Sequence, residues 1–187
     1  MVKPEKTYRL WTFQSVQSIH ELKSKGILQA NWDRYLETGY FIRAYRWMVK
    51  QMANNTIDCN QYSPIWAWHS CTKYEQVPTL VDARCLLSDR DLEEGIQTIE
   101  FECPASLALL SDYGMWNVML SDIFYPREED KIDSEMVAKL FATGKKHFRR
   151  YDSIQATLPY LKLEWVKEIR ELNLKPNDFS YNEKERV

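Results

Sequence analysis

Trp66 and Trp68 stand two residues apart in the string Pro-Ile-Trp-Ala-Trp-His-Ser at 64–70. On a strand, that spacing turns both indoles to one face. An indole pair followed directly by His69 and Ser70 would make a stacking wall for a planar ligand; the same residues would serve equally as core. A second aromatic string, Tyr-Arg-Leu-Trp-Thr-Phe-Gln-Ser at 8–15, also sets polar groups beside large rings. Glu100 and Glu102 share one face of an alternating stretch that ends at Cys103. Paired carboxylates can divide acid and base roles because mutual repulsion separates their pKa values. An exposed acidic sheet face explains the pair without chemistry.

The other polar groups have bland readings beside functional ones. His20 falls inside an amphipathic helix. His147 lies among Lys145, Lys146, Arg149 and Arg150. On a helix these cations form a stripe that offsets the C-terminal dipole, or that touches phosphate. Asp112 is most simply a helix cap. Nucleotide and hydrolase signatures are absent: there is no GxGxxG, P-loop, HExxH or GxSxG. With five glycines in 187 residues, a glycine-rich phosphate cradle is excluded. Cys59, Cys71, Cys85 and Cys103 contain no CxxC pair, which argues for reduced thiols and no metal site. The formal net charge of −2 gives no general attraction to nucleic acid or anionic lipid. Met1–Lys6 lacks the apolar core of a signal peptide, and no run approaches the ~20 apolar residues that cross a bilayer. The expectation is a soluble cytoplasmic protein with no membrane partner.

These residues need elements to position them. Residues 7–14 read as a strand, Ser15 as the cap of a helix over 16–25, and Gly26 as its stop. A longer helix is expected from just after Asn31 to Met52, kinked at Gly39. Pro64–Trp68, Leu80–Leu87 and Ile96–Cys103 read as strands. Further helices are expected near 114–121 and from Ser134 to about Phe148, with a last strand over 153–161 and a short element over 163–171. The elements interleave without a βαβ rhythm, so the fold class is α+β with a mostly antiparallel sheet and flanking helices. Residues 1–174 are expected to form a single domain, and 175–187 a polar tail that frays.

Five strings resemble a bacterial family known only as a domain of unknown function, number 3841. They are Leu-Trp-Thr-Phe-Gln (10–14), Ala-Tyr-Arg-Trp-Met-Val-Lys-Gln-Met (44–52), Pro-Ile-Trp-Ala-Trp (64–68), Leu-Leu-Ser-Asp-Tyr-Gly-Met-Trp (109–116) and Ile-Gln-Ala-Thr (154–157). A more distant resemblance concerns Leu10–Leu28: strand, serine, amphipathic helix, then Gly-Ile-Leu. It is similar to the opening of ADP-ribosyltransferase-like domains, where a strand ending in His-x-Thr-Ser leads to a helix and a Gly-Leu exit.

That resemblance implies NAD as a substrate and a protein or nucleic-acid target. It implies a cleft lined by Trp11, Thr12 and Gln14 from the first strand, and by Trp66, Trp68 and His69 from the second. Gln155 would start the strand that anchors the ribose. Trp11 stands where the family has histidine. Gln155 cannot act as an ionised carboxylate, so Glu100 or Glu102 would have to supply one. Two other functions fit the same residues: a nucleotide-binding module without chemistry, and a phage- or defence-associated interaction protein whose aromatics serve core and interface.

Overall fold

The computed structural model describes residues 5–35, 39–87, 91, 95–149 and 152–172. The tail expected from Lys175 and the Arg150 of the basic cluster lie outside the described residues. Strand β1 (Thr7–Ser15) alternates two kinds of side chain, and each kind faces a different layer. It lies inside a six-stranded antiparallel sheet with β3 (Ile65–Cys71), β4 (Ile96–Pro104), β5 (Leu109–Asp112), β6 (Ser153–Leu158) and β8 (Val166–Glu171), in the order β5-β6-β3-β1-β4-β8. The short strands β2 (Ile27–Leu28) and β7 (Leu161–Lys162) pair separately. The chain is therefore α+β, with the antiparallel sheet that the alternating patterns require.

On one face, Leu10, Ile65, Ala67, Ile99, Phe101, Ala156 and Leu158 pack against Ile19 and Leu22 of helix α1 (Val16–Lys25) and against Leu28 and Leu161. Local chemistry sets α1: the Ser15 hydroxyl accepts from the Ser18 N–H at 3.2 Å, and Gly26, at φ 73°, donates its N–H to the Leu22 carbonyl. On the other face a second cluster forms at the β5–β6–β3 side. It joins Ala44 and Met48 of α2 (Gly39–Asn54), Trp116 and Met119 of α4 (Tyr113–Met119), Ile123 and Phe124 of the π-helical turn Leu120–Phe124, and Leu140 of α5 (Ser134–Leu140). No helix among the described residues is long and apolar enough to cross a membrane.

Four elements differ from expectation. Residues 80–86 form helix α3, not a strand: Thr79 and Asp82 make a reciprocal capping box that satisfies the first N–H groups, and this outweighs the β-forming Leu, Val and Cys side chains. Gly39 begins α2 and does not kink it; the residues after Asn31 make a separate 3₁₀ turn, Trp32–Tyr35. Helix α5 stops at Leu140, short of Thr143 and Gly144, so Lys145–His147 is a 3₁₀ turn and not the end of a long helix. Pro159, which lacks an N–H, separates β6 from β7 where one strand over 153–161 was expected. Leu109–Asp112 forms edge strand β5.

Candidate functional site

Side chains at one register of the antiparallel ladders share a face. Ser111, Gln155, Trp68, Trp11 and Glu100 form such a row across β5, β6, β3, β1 and β4. At the β6–β3 end of this row lies a cavity of about 420 Å³. Gln155, Trp66 and Trp68 line it from the sheet, with Tyr113, Trp116 and Asn117 of α4 and Phe41 and Tyr45 of α2 opposite. Phe13, Leu86, Leu87 and Leu120 complete the lining. The rings brace one another. Trp68 meets Tyr113 edge to face at 4.9 Å, and Trp66 lies 4.9 Å from Tyr45 and 5.1 Å from Trp116.

A second cavity of about 210 Å³ opens where β1 and β3 part company. Their ladder is registered only at Trp11↔Trp68. Beyond that point the Thr12 hydroxyl donates to the Trp66 carbonyl at 2.7 Å and accepts from the Gln14 amide at 2.9 Å. Phe13 and Trp66 line both cavities, and Gln14, Gln29 and Pro64 belong to the second. The five strings singled out in the sequence converge here, contributing Phe13, Tyr45, Trp66 and Trp68, Tyr113 and Trp116, and Gln155.

The family profile for the domain of unknown function DUF3841 matches residues 9–169. The chain belongs to this DUF3841 family. No curated protein and no solved structure matches it.

In this DUF3841 chain the sequence-nominated residues divide into groups. Trp66, Trp68 and Gln155 meet in the larger cavity, Gln14 lines the smaller, and Thr12 bridges the strands between them. Gln155 is 3% exposed, and its amide nitrogen donates to the Ser111 hydroxyl at 3.1 Å. The Trp66 indole N–H is buried without a hydrogen-bond partner among the described residues. Trp11 stands in the same row but lines neither cavity; its indole donates to Glu100 Oε2 at 3.2 Å.

Glu100 is engaged on both oxygens. Arg9 Nε donates to Oε1 at 2.7 Å, and Arg170 and Trp11 donate to Oε2. Glu102, on the same face, is exposed and pairs with Lys167 at 3.0 Å. Three strand spacings separate Glu100 from Gln155, about 14 Å, so neither carboxylate reaches the cavity floor.

His69 is buried in a different cluster. Its Nδ1 lies 2.8 Å from the Ser70 hydroxyl, and its ring meets Tyr8 and Tyr74 edge-on. A β-bulge between Trp68 and Ser70 breaks the register at this point, which separates His69 from the cavity wall. Burial pushes its pKa below the usual imidazole value, opposed by Glu75. The four cysteines are free thiols; burial raises Cys59 to about 11 and Cys103 to about 12, while Cys85 is exposed. Asp112 caps α4 by accepting from the Met115 N–H at 2.7 Å.

Sequence reasoning missed Phe41, Tyr113, Trp116 and Asn117 as site residues. A signal for the last three existed: Tyr113, Trp116 and Asn117 fall at i, i+3 and i+4 just after the Asp112 cap, so they share a helix face.

Proposed function

We propose that this DUF3841 chain is an ADP-ribosyltransferase-like protein that takes NAD as substrate and modifies a macromolecular target. The observation that carries the reading is the position of Gln155. Its amide lies at a cavity floor between Trp68 and Ser111, beneath aromatic walls, and beside a fork in the sheet that holds Gln14 and Thr12. The cavity falls in the size range of small-molecule sites and combines apolar walls with a few polar groups. Trp66 or Trp68 would stack on nicotinamide, and Gln155 would hydrogen-bond the ribose hydroxyls. The orphan Trp66 N–H fits a ligand acceptor oxygen.

In the transfer, the bond between ribose C1′ and the nicotinamide nitrogen breaks, and the electron pair leaves with neutral nicotinamide. An acceptor nucleophile on the target bonds C1′ and releases its proton to solvent. Such a step needs positioning and electrostatics above all.

One observation favours a second reading, a nucleotide-binding module without turnover: no carboxylate lines either cavity among the described residues, and both oxygens of Glu100 are engaged.

The test is incubation with NAD labelled in its adenylate, in a cell lysate, with nicotinamide release followed in parallel. Transfer of label that falls at least about a hundredfold in Gln155→Ala and survives in Gln155→Glu supports the transferase. Tryptophan quenching by NAD with no nicotinamide released selects the binding module. Absence of both signals overturns the two readings together.

A further inference from the structure

The cations at 145–149 lose their simplest explanation once the structure is known. They cap no helix, because α5 ends at Leu140 and Lys145–His147 is a 3₁₀ turn. Instead they close a line of rings running across three chain segments. Lys6 lies 4.8 Å over the Tyr8 ring, Tyr8 meets His69 at 5.5 Å, His69 meets Tyr74 at 5.2 Å, and Tyr74 meets Phe148 at 5.6 Å. Lys145 Nζ sits 5.9 Å over the Tyr74 ring. Lys73, Lys146, His147 and Arg149 are exposed around this line.

None of Lys6, Lys73, Lys145, Lys146 and Arg149 has a carboxylate within salt-bridge distance among the described residues. Elsewhere cations are commonly paired, as at Arg9, Lys25, Lys131, Lys139 and Lys167. The carboxylates on these segments, Glu5, Glu75 and Asp152, are fewer than the five cations and offset the cluster only in part. Asp152 accepts from the Arg149 backbone N–H at 2.6 Å, and Glu75 lies 3.9 Å from His69 Nε2.

We infer that this basic, aromatic-braced patch binds the phosphate backbone of single-stranded nucleic acid. Lysines without a carboxylate partner supply the phosphate neutralisation that such strands use, and the half-buried Tyr74 and Phe148 offer partly open rings to bases, whereas His69 is buried and Lys6 covers the Tyr8 ring. The concentration of charge matters more than the net charge of −2, because the attraction acts within about a Debye length.

Fluorescence anisotropy with labelled oligo-dT and oligo-U of about twenty nucleotides, at roughly 50–200 mM salt, tests the binding. Wild type should bind with affinity that falls steeply with salt. Lys145→Glu/Lys146→Glu should bind at least about tenfold more weakly, with a salt slope smaller by roughly 0.7 per contact removed. Lys23→Glu/Lys50→Glu makes the same charge change on α1 and α2 and should bind as wild type does. Thermal melting checks that each variant folds, and Lys145→Ala/Lys146→Ala replaces the reversal if it does not.

Equal loss in the two charge-reversal pairs overturns the inference, as does absence of salt-dependent binding. Capture by phosphatidylserine vesicles without oligonucleotide binding also overturns it, in favour of a lipid surface. The assay contains no NAD, so patch-dependent binding by a protein that never consumes NAD upholds the patch while the transferase reading fails.

Discussion

Glu100 and Gln155 occupy the same cross-sheet row, are both nearly buried, and differ in almost everything else. Glu100, at the β4 end, receives Arg9 and Trp11 from one side and Arg170 from the other. Gln155, at the β6 end, donates one hydrogen bond to Ser111 and otherwise faces an aromatic cavity. Burial therefore does not separate the two residues; unfilled hydrogen-bonding capacity beside open volume does. A carboxylate with both oxygens engaged is held by the fold, whereas an amide with capacity to spare at a cavity wall is available to a ligand.

The comparison can be broken at several points. Trp66→Ala should have the largest effect on stability, about 3 kcal/mol, because it removes the ring that Tyr45 and Trp116 pack against. Urea unfolding measures it, and NAD quenching should vanish in the same variant. Glu100→Gln should cost about 2 kcal/mol, below the usual penalty for breaking a buried pair. Arg9 and Arg170 keep 62% and 39% of their side chains exposed and can rehydrate. Thermal melting should drop by roughly 4–8 °C, and turnover per folded molecule should hold. If turnover collapses while the fold survives, Glu100 is catalytic and the contrast drawn above is wrong.

Gln155→Ala should cost only about 1 kcal/mol, the value of the Ser111 hydrogen bond, while abolishing the NAD response. A larger stability loss with the NAD response intact would make Gln155 the structural residue of the two. The smallest effect concerns His69, buried outside the row. Its pKa is lowered in the fold by desolvation, so the unfolded state binds more protons near and below pH ~6.5. Its contribution to stability is complete above that pH and is lost as pH falls through the lowered folded value. Urea midpoints across this window should decline for wild type, and His69→Gln should remove part of the decline.

Local signals carried much of the architecture. Ser15 and Gly26 bracket α1 because a cap hydroxyl and a left-handed glycine act on their own neighbours. The alternation from Ile96 to Cys103 reports a strand because side-chain direction has period two. The capping box at Thr79 and Asp82 was equally local, and the β-forming side chains between the two residues masked it. The candidate site was legible in part: Trp66 and Trp68 announce one wall by their spacing. Gln155, Gln14 and Thr12 came from a resemblance in chain order and not from their own chemistry.

By itself the sequence determined the α+β class, the first helix and its caps, and the aromatic pair on one strand face, because each depends on residues within a few positions. Only the tertiary structure decided which polar residues are occupied and which are free. Arg9, Glu100 and Arg170 are far apart in the chain, and no local pattern says that they meet. The same holds for the cavity, whose walls come from β1, α2, β3, α4 and β6, and for the basic patch, whose cations join across three segments. Those arrangements depend on the order β5-β6-β3-β1-β4-β8, which long-range strand pairing selects because it buries Leu10, Ile99 and Phe101 on one face and Trp116 on the other.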